Sequence, residues 1–242
     1  MVDFAGWHMP IQYTSIVSEH NSVRERVGIF DVSHMGQIFV SGKEASEFLS
    51  YVTTWDMNRL SKGDCRYCHI LNENGQIIDD TIVYTFSSEN FMLVPNASMV
   101  TKIFEWFNSN SADFDVLIEN KSDEFFCFAV QGPEAPRLLR QFFNLAITPF
   151  KLVKSGNMII SGTGYTGEKG YEIMGPLSEG LEIWKSFLDM GAIPIGLGAR
   201  DTLRLEKGYL LSGTDFNGNQ STLESGYSWV IDWNHDFIGK DK

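Results

Sequence analysis

The stretch "SGTGYTGEKGYEI", residues 161–173, sets Gly162, Gly164 and Gly167 in the G-x-G-x-x-G spacing that opens a dinucleotide-binding fold. That fold needs a strand before the glycines and a helix directly after them, because the helix N-terminus holds the pyrophosphate. "MIIS" (158–161) reads as the strand. After Gly167, however, "EKGYEIMGP" alternates polar and apolar residues and contains Gly170. Helical spacing begins only near Ser178, beyond Pro176. The glycines therefore join two strands, and a dinucleotide cofactor is not expected. They let the backbone take positive φ or pass close to a neighbour. Tyr165 projects from the loop and Glu172 from the strand that leaves it.

The same grammar recurs on both sides. "TSIVSEHNSVRERVG" (14–28) spaces Ile16, Val17, Val23 and Val27 as a helix, with Thr14 or Ser15 as its cap. "CRYCHIL" and "QIIDDTIVYTF" flank "NENG", a hairpin turn. "GLGARDTLRLEKG" is a helix closed by Gly208. The commonest unit is a strand, a Gly or Pro turn, then an amphipathic helix. Two copies resemble each other in letters, "IFVSGKEASEFL" (38–49) and "FAVQGPEAPRLL" (128–139). They lie too far apart for a solenoid repeat, so a duplicated α+β unit is expected. The hairpin between helices favours antiparallel sheets with helices packed on them, as in ferredoxin-like folds.

Composition narrows the function classes. The chain has 242 residues, 43% of them hydrophobic, enough for one large or two small cores. No apolar run approaches the roughly 20 residues that cross a bilayer. "MVDFAGWHMP" has no basic n-region followed by an apolar stretch, so a cytoplasmic protein is expected, or a matrix protein in a mitochondrion. A net charge of −12 disfavours nucleic acid as a main partner. "CRYCH" (65–69) matches a haem-attachment pattern and half a zinc site. No second Cys/His cluster completes the zinc site, and the stretch reads as a strand, so no metal is expected.

Asp79 and Asp80 sit inside "QIIDDTIVY". On a regular strand Ile77, Asp79, Thr81 and Val83 share one face, and Ile78, Asp80, Ile82 and Tyr84 the other. Either way a carboxylate falls among apolar residues. An unpaired buried charge is costly, so at least one Asp should have a partner or a ligand. A buried hydrogen bond at a turn is the alternative.

"MVDFAGWHMPIQY", "GIFDVSHMG", "NGQIIDDTIVY", "GYTGEKGYEI" and "GLGARDTLRLEKG" run in series from residue 1 to about 240. Together they resemble the aminomethyltransferase family, the T-proteins of the glycine cleavage system. The resemblance implies a cloverleaf-type, folate-binding α+β fold. It also implies transfer of a one-carbon unit to tetrahydrofolate from the aminomethyl-lipoyl arm of a lipoylated H-protein. Ammonia is released and 5,10-methylenetetrahydrofolate forms. The family's usual C-terminal β-barrel has no counterpart before Lys242, and two intertwined subdomains are expected, about 1–35 with 119–207 and 36–118 with 208–242. Related iron–sulfur maintenance proteins carry a Lys-Gly-Cys motif where this chain has "KGYLLSG", which counts against them. Folate-dependent demethylases remain an alternative.

By the same resemblance Asp79 lies beside the folate N10, orients it and helps accept a proton. Glu172 pairs with adjacent N–H groups of the pterin, and Tyr165 walls that site. Arg200 clamps a folate carboxylate or anchors Glu172; an ion pair with Asp201 or Glu206 is the alternative. Met35 and Tyr67 line the pocket, although Met35 suits a core role equally. Asn96 touches the pterin or caps the helix after it, and Trp233 adds an aromatic surface. His34 has no partner legible in the sequence and is left without a role.

Overall fold

The two strands that flank the glycine loop pair with each other, antiparallel, as Ile159↔Met174, Ile160↔Ile173 and Ser161↔Glu172. This is the arrangement that the alternation in "EKGYEIMGP" predicts. The computed structural model describes residues 1–242. In chain order the elements are β1 (Val2–Phe4), β2 (Trp7–Met9), α1 (Ile16–Glu25), β3 (Gly28–Asp31), β4 (Ile38–Ser41), α2 (Ala45–Val52), β5 (Cys65–Leu71), β6 (Ile77–Ser87) and β7 (Asn90–Leu93). There follow α3 (Val100–Ser109), β8 (Leu117–Asn120), β9 (Phe125–Gln131), α4 (Ala135–Phe143), β10 (Leu152–Ser155), β11 (Met158–Ser161), β12 (Gly170–Pro176), α5 (Leu177–Asp189), β13 (Ile193–Pro194) and α6 (Leu197–Glu206).

The chain divides into two units, Met1–His34 with Asp123–Tyr209, and Met35–Ser122 with Leu210–Lys242. The first holds a six-stranded sheet in the order β10-β11-β12-β9-β3-β13. It is antiparallel except for β13, which runs parallel to β3. Val27, Ile29, Phe126, Phe128, Val130, Ile160 and Ile173 of this sheet region pack with Leu138 and Leu139 of α4 and with Ile183 and Phe187 of α5. The second unit holds an antiparallel sheet in the order β5-β6-β7-β4-β8. Its core joins Ile38, Val40, Val83, Phe91 and Leu93 to Phe48 and Leu49 of α2 and Ile103 and Phe107 of α3. A smaller cluster of this unit gathers Leu71 and Ile77 with Phe216, Val230, Ile231 and Phe237. Full burial of side chains of this size stabilises by about 1.5–3 kcal/mol each.

The two lettered repeats are the same local device. One is β4, a turn and α2; the other is β9, a turn and α4. Each turn carries a glycine with positive φ, Gly42 at 138° and Gly132 at 128°. A Cβ at either would strike backbone, the carbonyl of Asp115 at one and that of Arg26 at the other. Helix α1 begins as its sequence predicts, with the Ser15 hydroxyl accepting from the Ser18 N–H at 3.1 Å.

The glycine loop is built around Gln131, the last residue of β9, which is fully buried. Its Nε2 donates to the carbonyls of Thr163 (3.1 Å) and Tyr171 (3.4 Å), and its Oε1 accepts from the Thr166 hydroxyl at 2.9 Å. A Cβ on Gly164 or Gly170 would occupy the space of that amide, and one on Gly162 would strike the Thr148 carbonyl. Gly164 and Gly170 thus serve close packing around a buried amide.

Candidate functional site

In the second unit, β5 and β6 pair in register from Cys65↔Tyr84 to Ile70↔Asp79, and then Leu71 pairs with Ile77. Ile78 is the extra residue of a β-bulge, which bends a strand and re-aims its side chains. Strict alternation therefore fails here. Ile78 packs with Val83 in the large core, whereas Ile77 belongs to the small cluster with Phe216. Asp79 and Asp80 lie beyond the bulge, in regular register with Ile70 and His69. Both carboxyl groups are buried and both meet one side chain, that of Asn96.

Asn96 follows β7 and donates from Nδ2 to Asp79 Oδ1 at 2.8 Å and to Asp80 Oδ1 at 2.6 Å. Its backbone N–H donates to Asp79 Oδ2 at 3.0 Å. The side chain makes no capping bond to the helical turn that follows. Tyr67 on β5 donates its hydroxyl to Asp80 Oδ2 at 2.6 Å. His69 lies next along that strand, with Nε2 3.4 Å from the Tyr67 hydroxyl and Nδ1 3.0 Å from Thr222 Oγ1. Burial, and then the neighbouring Asp80 charge, push the Asp79 carboxyl up to about 7. A carboxyl in that range exchanges protons near neutral pH. Burial pushes His69 down to about 3, so it is a neutral imidazole there.

An aromatic surface adjoins Tyr67. Trp229 stacks on it with ring centroids 5.7 Å apart, and Tyr227 lies 6.0 Å away. Trp229 is 54% exposed. Trp233, the tryptophan singled out in the sequence, is instead 50% exposed and packs against Phe237. The signal for Trp229 was the spacing of Tyr227 and Trp229 in "GYSW". Met35 is half-buried at the start of its unit, and its carbonyl accepts from Gln37 Nε2 at 2.8 Å.

In the first unit, Arg200 of α6 lies over the Tyr165 ring, 4.6 Å from its centroid. Burial works against the Arg200 charge, and the neighbouring Glu172 favours it. The two carboxylates of the alternative reading pair with other arginines. Asp201 binds Arg204 at 2.8 Å, and Glu206 binds Arg24 at 2.7 Å. Glu172 on β12 accepts the Thr163 hydroxyl, which is itself 2.6 Å from the Ser161 hydroxyl. Thr163 escaped the sequence reading because it sits between the glycines. Tyr165, Glu172 and Arg200 are thus one group. His34 is 4% exposed, with its ring edge against Phe4. Burial and Arg200 push it down to about 3, which leaves it neutral and unsuited to proton transfer near pH 7. A cavity of about 110 Å³ in this unit is bordered by Tyr13, His34, Ile195 and Arg200.

Residues 1–235 match the model of the GCVT N-terminal domain. The chain is 46% identical to an aminomethyltransferase of Thermosipho melanesiensis, over all of this chain and 69% of that one. It is 42% identical to an aminomethyltransferase of Thermotoga maritima, again over all of this chain and 69% of that one. The crystal structure of glycine cleavage system aminomethyltransferase T from Bartonella henselae superposes with a TM-score of 0.95 at 32% identity, covering 99% of this chain and 68% of that one. The heterotetrameric sarcosine oxidase of Corynebacterium sp. U-96 shares the fold alone, with a TM-score of 0.51 at 11% identity over 78% of this chain and 92% of that one. No helix is long and apolar enough to cross a membrane.

Proposed function

The chain belongs to the GCVT N-terminal domain family, and from that premise we propose that it is a cytoplasmic, tetrahydrofolate-dependent aminomethyltransferase. Its donor is the aminomethyl-lipoyl arm of a lipoylated H-protein, and its products are ammonia and 5,10-methylenetetrahydrofolate. The observation that carries this reading is the buried carboxyl of Asp79, whose proton affinity lies near neutrality beside Asn96 and Asp80.

The residues fit the cosubstrate. A pterin edge presents adjacent N–H donors, and the half-buried carboxylate of Glu172 is the matching acceptor. Tyr165 and Arg200 flank it with a ring face and a cation. Tyr67 and Trp229 offer stacked aromatic surface to an aryl group. Tetrahydrofolate supplies the nitrogens that take up the carbon. Asp79 accepts the proton released when such a nitrogen forms its new bond, and its charge favours a cationic carbon centre nearby. Asn96 fixes the Asp79 carboxyl from two donors, so its orientation is set before any ligand arrives.

The test is single-turnover transfer from aminomethylated H-protein to tetrahydrofolate, followed as methylenetetrahydrofolate. Asp79→Asn keeps the shape and is expected to lower the rate by about 10²–10⁴ while folate still binds. A normal rate in this variant would remove Asp79 from the reaction. Transfer from sarcosine or a sulfonium compound in place of the H-protein arm would make the chain a demethylase.

A further inference from the structure

We propose that Asp80 is a positioning residue for the proton of Asp79: Asp80 is the ionised member of the pair, held so by Tyr67, and its charge makes Asp79 the carboxyl that takes up the mobile proton. The inference rests on the functional reading above only for the use made of that proton.

Asn96 has two amide hydrogens, and its Nδ2 lies within bonding distance of one oxygen from each carboxyl group. Those oxygens are therefore no farther apart than the two bonds laid end to end. Two ionised carboxylates that close and that buried repel strongly, and one of them keeps a proton. The surroundings decide which. Asp80 is 8% exposed and receives the Tyr67 hydroxyl in a short bond at 2.6 Å, a donor that favours the charged form. Asp79 is fully buried, and burial is the largest influence on it. Asn96 and the Ser212 side chain donate to Asp79 and favour its charge, but burial and Asp80 outweigh them, and no cation is among the groups that act on it. On the Asp80 side, His69 is neutral, and the Cys68 thiol is pushed up to about 12 and stays protonated. The pair thus carries one negative charge below about pH 7 and gains the second as pH rises through that value.

The experiment is a site-resolved titration of the full chain labelled with carbon-13 aspartate, read by NMR, for wild type, Asp80→Asn and Tyr67→Phe. Asp80→Asn is expected to lower the Asp79 midpoint by about 1–3 pH units. The acid limb of the kcat profile should move down with it. Tyr67→Phe should lower the Asp79 midpoint and raise that of Asp80, as the proton moves towards Asp80. This second variant keeps the proposal open to refutation if Asp80→Asn fails to fold. An Asp79 midpoint that moves in neither variant overturns the proposal. A shifted midpoint in a chain that transfers no aminomethyl group supports the pairing and counts against the functional reading alone.

Discussion

Glu172 and Asp79 are carboxylates in contrasting surroundings. Glu172 is half-buried at a strand position where Thr163 donates to it and Arg200 lies near. Asp79 is fully buried beside a second carboxylate, so its charge is resisted even though Asn96 donates to it. Glu172→Gln keeps the size but replaces a charged acceptor with an amide. Hydrogen bonds to charged groups contribute about 1.5–3 kcal/mol, which is about a ten- to hundredfold loss of tetrahydrofolate affinity. Calorimetric titration checks it, and unchanged affinity in a folded variant would free Glu172 from that role. The sequence could place both carboxylates on strands, because alternation and turn residues are local signals. It could not show that Asn96 meets both Asp79 and Asp80, since that contact depends on where the end of β7 falls beside β6. For the same reason the sequence does not single out Trp229. Two tryptophans four residues apart look alike until the stacking on Tyr67 is seen.

Elements were legible where the chain follows one period and illegible where it breaks it. The strand–loop–strand reading of residues 158–176 rests on a simple alternation, and pairing of β11 with β12 bears it out. The bulge at Ile78 has no such signature, because an inserted residue in an apolar run still looks like an apolar run. The glycine loop gives the prediction at this scale. Gly164→Ala places a methyl group in the space of the Gln131 amide, which bonds Thr163, Tyr171 and Thr166. Overpacking of this kind costs about 1–3 kcal/mol, and displacing the amide adds the cost of buried carbonyls that lose a donor. Urea unfolding should show that loss. NAD and NADP should leave the unfolding midpoint of the wild-type chain unchanged, since no helix N-terminus follows these glycines. A nicotinamide-dependent rise in midpoint would return the loop to the dinucleotide class.

Across the whole chain, each unit draws on two separated stretches of sequence, so no linker composition marks a border. Buried titratable groups give the chain its pH dependence, and they act with opposite signs. His34 in one unit and His69 in the other are each pushed down to about 3 by burial. Between about 6.5 and 3 the unfolded chain binds protons at these sites that the folded chain refuses. Stability from the histidines is therefore present above 6.5 and is lost as pH falls. Asp79, pushed up to about 7 from 3.8, does the reverse. Between those values the folded chain holds a proton that the unfolded chain has released, so its contribution is full at low pH and is lost as pH rises through about 7. The two effects oppose each other over the range between about pH 4 and 6.5. Asp79→Asn removes the group that gains on acidification and leaves the histidines uncompensated. Its urea midpoint should thus fall more steeply than that of wild type between pH 7 and pH 5. His69→Asn removes a group that loses on acidification, and its midpoint should fall less steeply than that of wild type. Acidification also relieves self-repulsion in a chain of net charge −12, but that term is nearly common to the three proteins and cancels in the differences. If Asp79→Asn has the shallower slope, its carboxyl is ionised in the folded chain well below neutrality, and the near-neutral proton affinity on which the catalytic assignment depends is lost with it.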